Sequence, residues 1–185
     1  MIFEQACRFL EKHGTLAMDY VELNLSVVQC EDEHLADRLI AYMERYRVNP
    51  KWINLEITET ASIGAKGMLQ QNMEKLLAYG VGFSLDDFGK GESNLMYVVE
   101  LPVSIIKLDI DMTKAYFRNK KAEQVLRTVV TMAHEMNFKL VAEGVETEDE
   151  LEGLKSLGVD YIQGFYFSKP LPSDEYLAFI ENKAK

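Results

Sequence analysis

The chain has 185 residues, of which 48% are hydrophobic, and a formal charge of −10 at pH 7. This length and composition are sufficient to bury the core of one domain. The acidic balance argues against a nucleic-acid polymer as partner, because phosphate backbones are bound by clustered Lys and Arg. No apolar run has membrane-spanning length and no signal-peptide pattern opens the chain, so we expect no membrane contact and a cytoplasmic location.

Short apolar runs alternate with stretches of helical periodicity. The predicted strands are, in chain order, Val21–Ser26, Ile53–Glu59, Val81–Asp87, Ile105–Asp109, Leu140–Glu146 and Tyr161–Phe167. The predicted helices are Phe3–Lys12, about Glu31–Arg47, Gly67–Tyr79, Ser93–Glu100, Lys120–Asn137, Glu148–Leu157 and Ser173–Glu181. Short connections between strands and helices indicate parallel strands with right-handed crossovers, in a single domain over residues 1–185.

The helices carry start and stop signals. Gly80 and Gly158 are predicted to end two of them, and Thr147 is predicted to open another in a capping box with Glu150. One apolar stripe of the fifth predicted helix is expected to face the core; its members are Val125, Val129, Met132, Ala133 and Met136. Burial is also expected for the aromatic side chains of the last strand, which are Tyr161, Phe165, Tyr166 and Phe167.

Side-chain alternation along the strands favours a closed barrel over an open sheet. In the second strand Ile53, Leu55 and Ile57 share one face, and Asn54 and Glu56 share the other. The same split recurs in the other strands, so the polar sets can face a common interior. An open doubly wound sheet would be covered by helices on both faces and would be more continuously apolar. The pattern therefore predicts an α/β, TIM-like (β/α) barrel.

Each predicted strand carries polar residues near its C-terminal end, where a βα barrel keeps its active site. Several of them are hard oxygen donors suited to magnesium, manganese or calcium. For any one of these residues alone, a solvated acidic rim or a buried Lys–Asp pair is the simpler interpretation. Together they favour a metal-dependent phosphoesterase. The residues are Asn24, Glu56, Asp86, Asp87, Lys107, Asp109, Glu143 and Gln163.

The same positions lie in a series of motifs that resembles the EAL domains, bacterial phosphodiesterases that hydrolyse cyclic di-GMP to the linear dinucleotide pGpG. The motifs are NLS at 24–26, LEITET at 55–60, LDDFGKGESNL at 85–95, IKLDID at 106–111, VAEGVET at 141–147 and QGFYFSKPLP at 163–172. Their order and spacing match the family over essentially the whole chain. The resemblance implies a TIM-like barrel, two Mg²⁺ or Mn²⁺ ions and cyclic di-GMP as the ligand.

The resemblance also implies a role for each residue. The ligands of the first metal would be Asn24, Glu56 and Asp86, and Asp87 would serve the second metal. Lys107 would orient the nucleophilic water, and Glu143 would be a second-site ligand or general base. Support by hydrogen bonding is implied for Asp109 and Gln163. Glu59 would shape the loop after Asp87, which in this family links catalysis to a homodimer.

Two departures from the family pattern bear on activity. No Glu-Ala-Leu sequence occurs in the chain, although the family is named for this metal-binding motif. Because the opening residues resemble the helix after that motif, we expect an incomplete barrel of about six βα units, completed by further strands or by a partner. The loop after Asp87 also differs, with Lys90 for Thr, Glu92 for Tyr and Asn94 for Ser.

Three hypotheses follow. The first is a cyclic di-GMP phosphodiesterase with a two-metal mechanism, impaired by these departures. The second is an inactive EAL module that acts as a cyclic di-GMP receptor or as a protein-interaction domain. The third, an unrelated metal-dependent barrel hydrolase, would require the order of the motifs to be a coincidence.

Overall fold

The computed structural model describes residues 2–14, 18–58, 66–90 and 96–183. The strands within this part are β1 Val21–Leu25, β2 Ile53–Thr58, β3 Gly82–Phe88, β4 Ile105–Leu108, β5 Lys139–Ala142 and β6 Tyr161–Ile162. The helices are α1 Ile2–His13, α2 Val27–Cys30, α3 Leu35–Arg45, α4 Lys66–Tyr79, α5 Met96–Glu100, α6 Ile110–Arg118, α7 Lys120–Glu135, α8 Glu148–Leu157 and α9 Ser173–Lys183, with a 3₁₀ turn at Pro50–Trp52.

The chain divides into two compact units. Unit 1 comprises Met1–Phe83 and Pro170–Lys185, and unit 2 comprises Ser84–Lys169. The boundary falls inside β3, so this strand begins in unit 1 and ends in unit 2. The prediction of a single domain stays a prediction.

In unit 1, β1 and β2 pair in parallel, with Val21 opposite Ile53 and Leu25 opposite Ile57. Helices pack beside them through apolar faces; Leu39 and Met43 of α3 are buried, for example. The buried amide of Asn72 joins α4 to the start of α3, because Asn72 accepts from the Ala36 amide and donates to the Asp32 carbonyl. Backbone groups that no helix satisfies thus find a partner inside the unit.

In unit 2, β3 pairs with β4, β4 with β5 and β5 with β6, all in parallel. The helical connections between these strands are those that parallel pairing requires. Thr147 and Glu150 form the predicted capping box of α8. Gly158 closes the same helix with φ of 98°, a left-handed conformation that glycine adopts without strain. These predictions are confirmed.

The predicted core face of α7 is right only in part. Ala133 is buried as predicted and Val129 and Met132 are half-buried, but Val125 is 53% exposed and Met136 is 40% exposed. The other buried side chains of the helix are Leu126 and Val130. Both sets recur three or four positions apart, so periodicity alone allows either stripe. Packing of α7 on unit 2 selects the stripe that contains Leu126.

The predicted burial of the last aromatic cluster is also wrong. Tyr161, Phe165, Tyr166 and Phe167 are between 38% and 57% exposed. Because β6 is only 2 residues long, most of this segment lies beyond the strand and turns at the surface instead of entering the core.

An apolar groove of about 860 Å³ lies in unit 1, beside β1. Its lining includes Ile2 and Phe9 of α1, Val21 of β1 and Tyr176 of α9. Ile2 is 74% exposed there. Unit 1 thus presents apolar surface next to the strand that carries Asn24.

Asp160 ties three elements of unit 2 together. Its carboxylate accepts hydrogen bonds from Lys139 Nζ at 2.6 Å and from the Leu140 amide at 3.0 Å, and it lies 3.1 Å from His134 Nε2. Burial alone would raise the pKa of Asp160, but these hydrogen bonds together outweigh burial and lower it. Asp160 therefore joins the end of α7 and the start of β5 to the turn before β6.

Thr147→Ala should lower the free energy of unfolding by about 1 kcal/mol, because the Glu150 amide loses the hydroxyl that caps it. The measurement is the urea midpoint of unfolding. Thr128→Ala is the matched control, since Thr128 is exposed in the middle of α7 and its loss removes no cap. Equal midpoints for the two variants would contradict a stabilising role for the capping box.

Asp160→Asn should destabilise the protein near neutral pH and much less in acid. Because folding lowers the pKa of Asp160 below its ordinary value of 3.8, the stabilisation is present above that value and is lost as pH falls through the folded pKa. Urea unfolding from about pH 6 to about pH 3 tests this dependence. Asp19→Asn, which removes an exposed carboxylate, is the control. A constant difference between Asp160→Asn and the parent across this range would contradict the linkage.

Candidate active site

The aspartate pair of β3 lies at an irregularity of the strand. Leu85 is opposite Ile106 and Phe88 is opposite Leu108, so β3 has one more residue than β4 across this interval. Such a bulge breaks the strict alternation that would send Asp86 and Asp87 to opposite faces. Asp87 has φ of 58°, in the left-handed region, which Asp tolerates better than most residues. The backbone here thus re-aims consecutive carboxylates at the C-terminal end of β3.

Lys107 of β4 is the central cation of unit 2. Its side chain is 4% exposed, and its ammonium lies 2.7 Å from Glu143 Oε1 and 3.6 Å from Asp86 Oδ1. The two carboxylate side chains are each 16% exposed. The structure therefore brings three of the predicted site residues together at the ends of β3, β4 and β5.

Asp86 offers an oxygen that suits a metal. Its Oδ1 is buried and, in the described part of the chain, has no hydrogen-bond partner. Carboxylate oxygens are the donors that Mg²⁺ and Mn²⁺ prefer, so Asp86 and its neighbours fit such an ion chemically. In the same part of the chain, no three His, Cys, Asp or Glu side chains are gathered as a metal centre. Ammonium groups face these carboxylates instead.

The second of these ammonium groups belongs to Lys90. Its Nζ lies 3.1 Å and 3.2 Å from the two carboxylate oxygens of Asp87. The hydrogen bond to Asp87 is the main cause that raises the pKa of Lys90, and the charge of Asp87 acts in the same direction. Smaller contributions of the same sign come from Asp109 and Asp86. Lys90 thus lies in the field of the carboxylates at this end of β3.

Two further predicted site residues, Asp109 and Gln163, make hydrogen bonds to the backbone of unit 2. Asp109 is buried and caps α6, since its Oδ1 accepts from the Asp111 amide at 2.8 Å, and its own amide donates to the Phe88 carbonyl. Gln163 is exposed, and its amide donates to the Ala142 carbonyl at 2.9 Å. Asp109 therefore holds the ends of β3 and β4 together, and Gln163 continues the pairing beyond β5.

The remaining predicted ligands lie in unit 1. Asn24 and Glu56 are directly opposite each other in the pairing of β1 with β2. Asn24 is exposed and Glu56 is 5% exposed. Glu59, the predicted support of the loop, lies outside the described residues, as do Glu92 and Asn94.

Comparison with known proteins identifies the family. The family model described as EAL domain matches residues 1–170. This chain belongs to the EAL domain family.

Its relatives include MucR of Pseudomonas aeruginosa, a bifunctional diguanylate cyclase and cyclic di-GMP phosphodiesterase. MucR is 33% identical over 181 residues, which cover 97% of this chain and 26% of MucR. The EAL chain thus spans about a quarter of that relative. Among curated relatives, proteins described as cyclic di-GMP phosphodiesterases recur.

Solved structures agree with this membership. A complex of the MucR phosphodiesterase with cyclic di-GMP matches with a TM-score of 0.85 and 32% identity, over 95% of this chain and 72% of that one. The EAL domain of Mycobacterium smegmatis DcpA matches with a TM-score of 0.90 and 27% identity, over 98% of this chain and 82% of that one. The predicted TIM-like fold class is confirmed by these matches.

Two features of the EAL site escaped prediction from sequence. Helix α6 follows β4 directly and had no predicted counterpart, although Asp109 two positions before Asp111 is a recognisable capping signal. The ion pair between Lys90 and Asp87 was also missed, and its only signal is the spacing of three residues across Gly89. As for the membrane, no helix of the described segments is long and apolar enough to cross one.

Lys107→Met should lower the free energy of unfolding by about 3 kcal/mol, because partly buried Glu143 and Asp86 lose a shared cation. Urea unfolding of the EAL chain measures the effect. Adding Glu143→Gln to Lys107→Met should recover part of the loss, since one uncompensated charge is then gone. Additive losses in the double variant would contradict the ion pair.

Proposed function

We propose that this EAL domain is a phosphodiesterase that hydrolyses cyclic di-GMP to pGpG with two divalent cations, Mg²⁺ or Mn²⁺. The observation that carries the proposal is the cluster of Lys107 with Glu143 and Asp86 in unit 2, in a chain of this family. A module that only contacts other proteins has no physical need to keep the whole set of Asn24, Glu56, Asp86, Asp87, Lys107 and Glu143.

The substrate assignment rests on relatives. MucR is described as a bifunctional diguanylate cyclase and cyclic di-GMP phosphodiesterase. The solved structure of the MucR phosphodiesterase that matches this chain is a complex with cyclic di-GMP. When bound, two cations would lower the pKa of a bound water molecule and neutralise the charge of the phosphodiester. A net charge of −10 is then compatible with an anionic dinucleotide.

The residues of unit 2 have distinct proposed tasks. Asp86 and Asp87 would hold the cations, and the Oδ1 of Asp86, which is buried and lacks a hydrogen bond among the described residues, supports this role. The proposed task of the Lys107 ammonium is to hold a water or a phosphate oxygen, since a lysine ammonium has three hydrogen-bond donors. Glu143, 2.7 Å from that ammonium, would accept the proton of the attacking water or serve as a ligand.

The other assignments come from the motif series and are proposed with it. Asn24 and Glu56 are the proposed further ligands of the first cation, with their adjacent positions on β1 and β2 as support. Asp109 and Gln163 are proposed supports of the site. A homodimer coupled through Glu59 and the loop after Asp87 completes the family-based proposal.

A second candidate function is that of a cyclic di-GMP receptor without turnover. One observation favours it: Lys90 donates hydrogen bonds to both oxygens of the Asp87 carboxylate. This contact weakens metal binding more directly than it weakens nucleotide binding. The two functions therefore differ in product formation.

Incubation of the chain with cyclic di-GMP and Mn²⁺ should release pGpG. Chromatography measures the amount of pGpG formed over time. Glu143→Gln should lower the rate at least about 100-fold, because it removes the carboxylate that takes the proton. Glu152→Gln, at an exposed position on α8, is the matched control and should keep the parent rate.

The outcomes separate the candidates. No pGpG from the parent, with cyclic di-GMP binding retained in calorimetry, would refute the phosphodiesterase and support the receptor. Neither product nor binding would refute both. An unchanged rate for Glu143→Gln would refute the role of Glu143 while leaving the reaction in place.

A further inference from the structure

Lys90 is positioned by the backbone that follows β3. Its amide donates to the Asp87 carbonyl at 3.1 Å, which closes a β-turn over Phe88 and Gly89. Gly89 has φ of 98° in the third position of the turn, where glycine is favoured. A side chain there would also meet Met112, because an added Cβ would lie 2.3 Å from Met112 Cε. This turn brings the ammonium of Lys90 back to Asp87.

The contact engages the whole carboxylate. Lys90 Nζ lies within 3.2 Å of both oxygens of Asp87, so the pair leaves neither oxygen without a nearby positive charge. The side chains are 61% and 36% exposed, which makes this a surface ion pair of small net strength. Such a pair can be displaced by a divalent cation, but at a cost to the affinity of that cation.

We propose that Lys90 is an internal counter-ion that competes with a divalent cation for the Asp87 carboxylate and lowers the metal affinity of this end of β3. This inference rests on the proposed two-metal function, because it assigns Asp87 to a cation. In this proposal Lys90 sets the affinity of the site for a divalent cation and does not contact the substrate. It makes occupancy of the site depend on the concentration of free divalent metal.

Two effects of Lys90 act together. Before metal binds, the ammonium neutralises the carboxylate that would attract the ion. After metal binds, the ammonium still lies within a few ångströms of a dication and repels it. In a solvated site these effects correspond to an affinity change on the order of three- to tenfold.

The test is titration of the chain with Mn²⁺ alone at low ionic strength, with free Mn²⁺ measured by electron paramagnetic resonance. Lys90→Gln should bind Mn²⁺ about three- to tenfold more tightly than the parent. Lys90→Arg keeps the positive charge and should stay within about twofold of the parent. Asp86→Asn should weaken binding, which places the measured ion at β3.

Lys155→Gln is the matched control. Lys155 is an exposed lysine three residues from an acidic partner, Glu152, at 2.9 Å, and it lies on α8. Its loss changes the net charge by the same amount as Lys90→Gln. We expect less than about a twofold change in Mn²⁺ affinity, since solvent and salt screen a distant exposed charge.

Each outcome decides between the claims. An unchanged Mn²⁺ affinity for Lys90→Gln, or an equal rise in Mn²⁺ affinity for Lys155→Gln, would overturn the proposed competition between Lys90 and the cation. If the parent still forms pGpG in that case, the proposed phosphodiesterase function stands. The expected shift without any hydrolysis of cyclic di-GMP would support the competition and overturn the phosphodiesterase. Absence of Mn²⁺ binding in every variant would overturn both.

Discussion

The candidate site depends on the ion pairs that the buried ammonium of Lys107 makes with Glu143 and Asp86. An uncompensated charge inside a protein costs several kcal/mol, on the order of 3 to 5 when one partner of a buried pair is removed. A lysine whose side chain is 4% exposed must therefore keep its carboxylates close. Because Asp86 lies in β3 and Glu143 follows β5, this requirement joins the ends of three neighbouring strands of unit 2.

The charges at these strand ends are more nearly balanced than the composition of the chain suggests. At the ends of β3 and β5, the three carboxylates of Asp86, Asp87 and Glu143 lie beside two ammonium groups, those of Lys107 and Lys90. The local charge is thus far less negative than the net charge of −10 suggests.

Much of this architecture is readable from the sequence, because apolar runs and helical periodicity are local signals. All of the predicted strands are present in the described residues, with ends shifted by up to several positions. The bulge in β3 has no such signal, since a pattern of period two does not mark an inserted residue. Periodicity also could not select the right face of α7, because Val125 and Leu126 begin two adjacent apolar rows of equal periodicity. Contacts distant in sequence decide such cases.

The left-handed backbone of Asp87 restricts which residues natural variation can place there. At φ of 58°, Asn and Asp are favoured because their short polar side chains bond locally, whereas Glu carries the same charge without that advantage. The position therefore distinguishes between two acidic residues by conformation and not by charge. Asparagine is the replacement that removes the carboxylate while keeping the turn, so a lineage that lost the charge at this point would retain its fold most easily through asparagine.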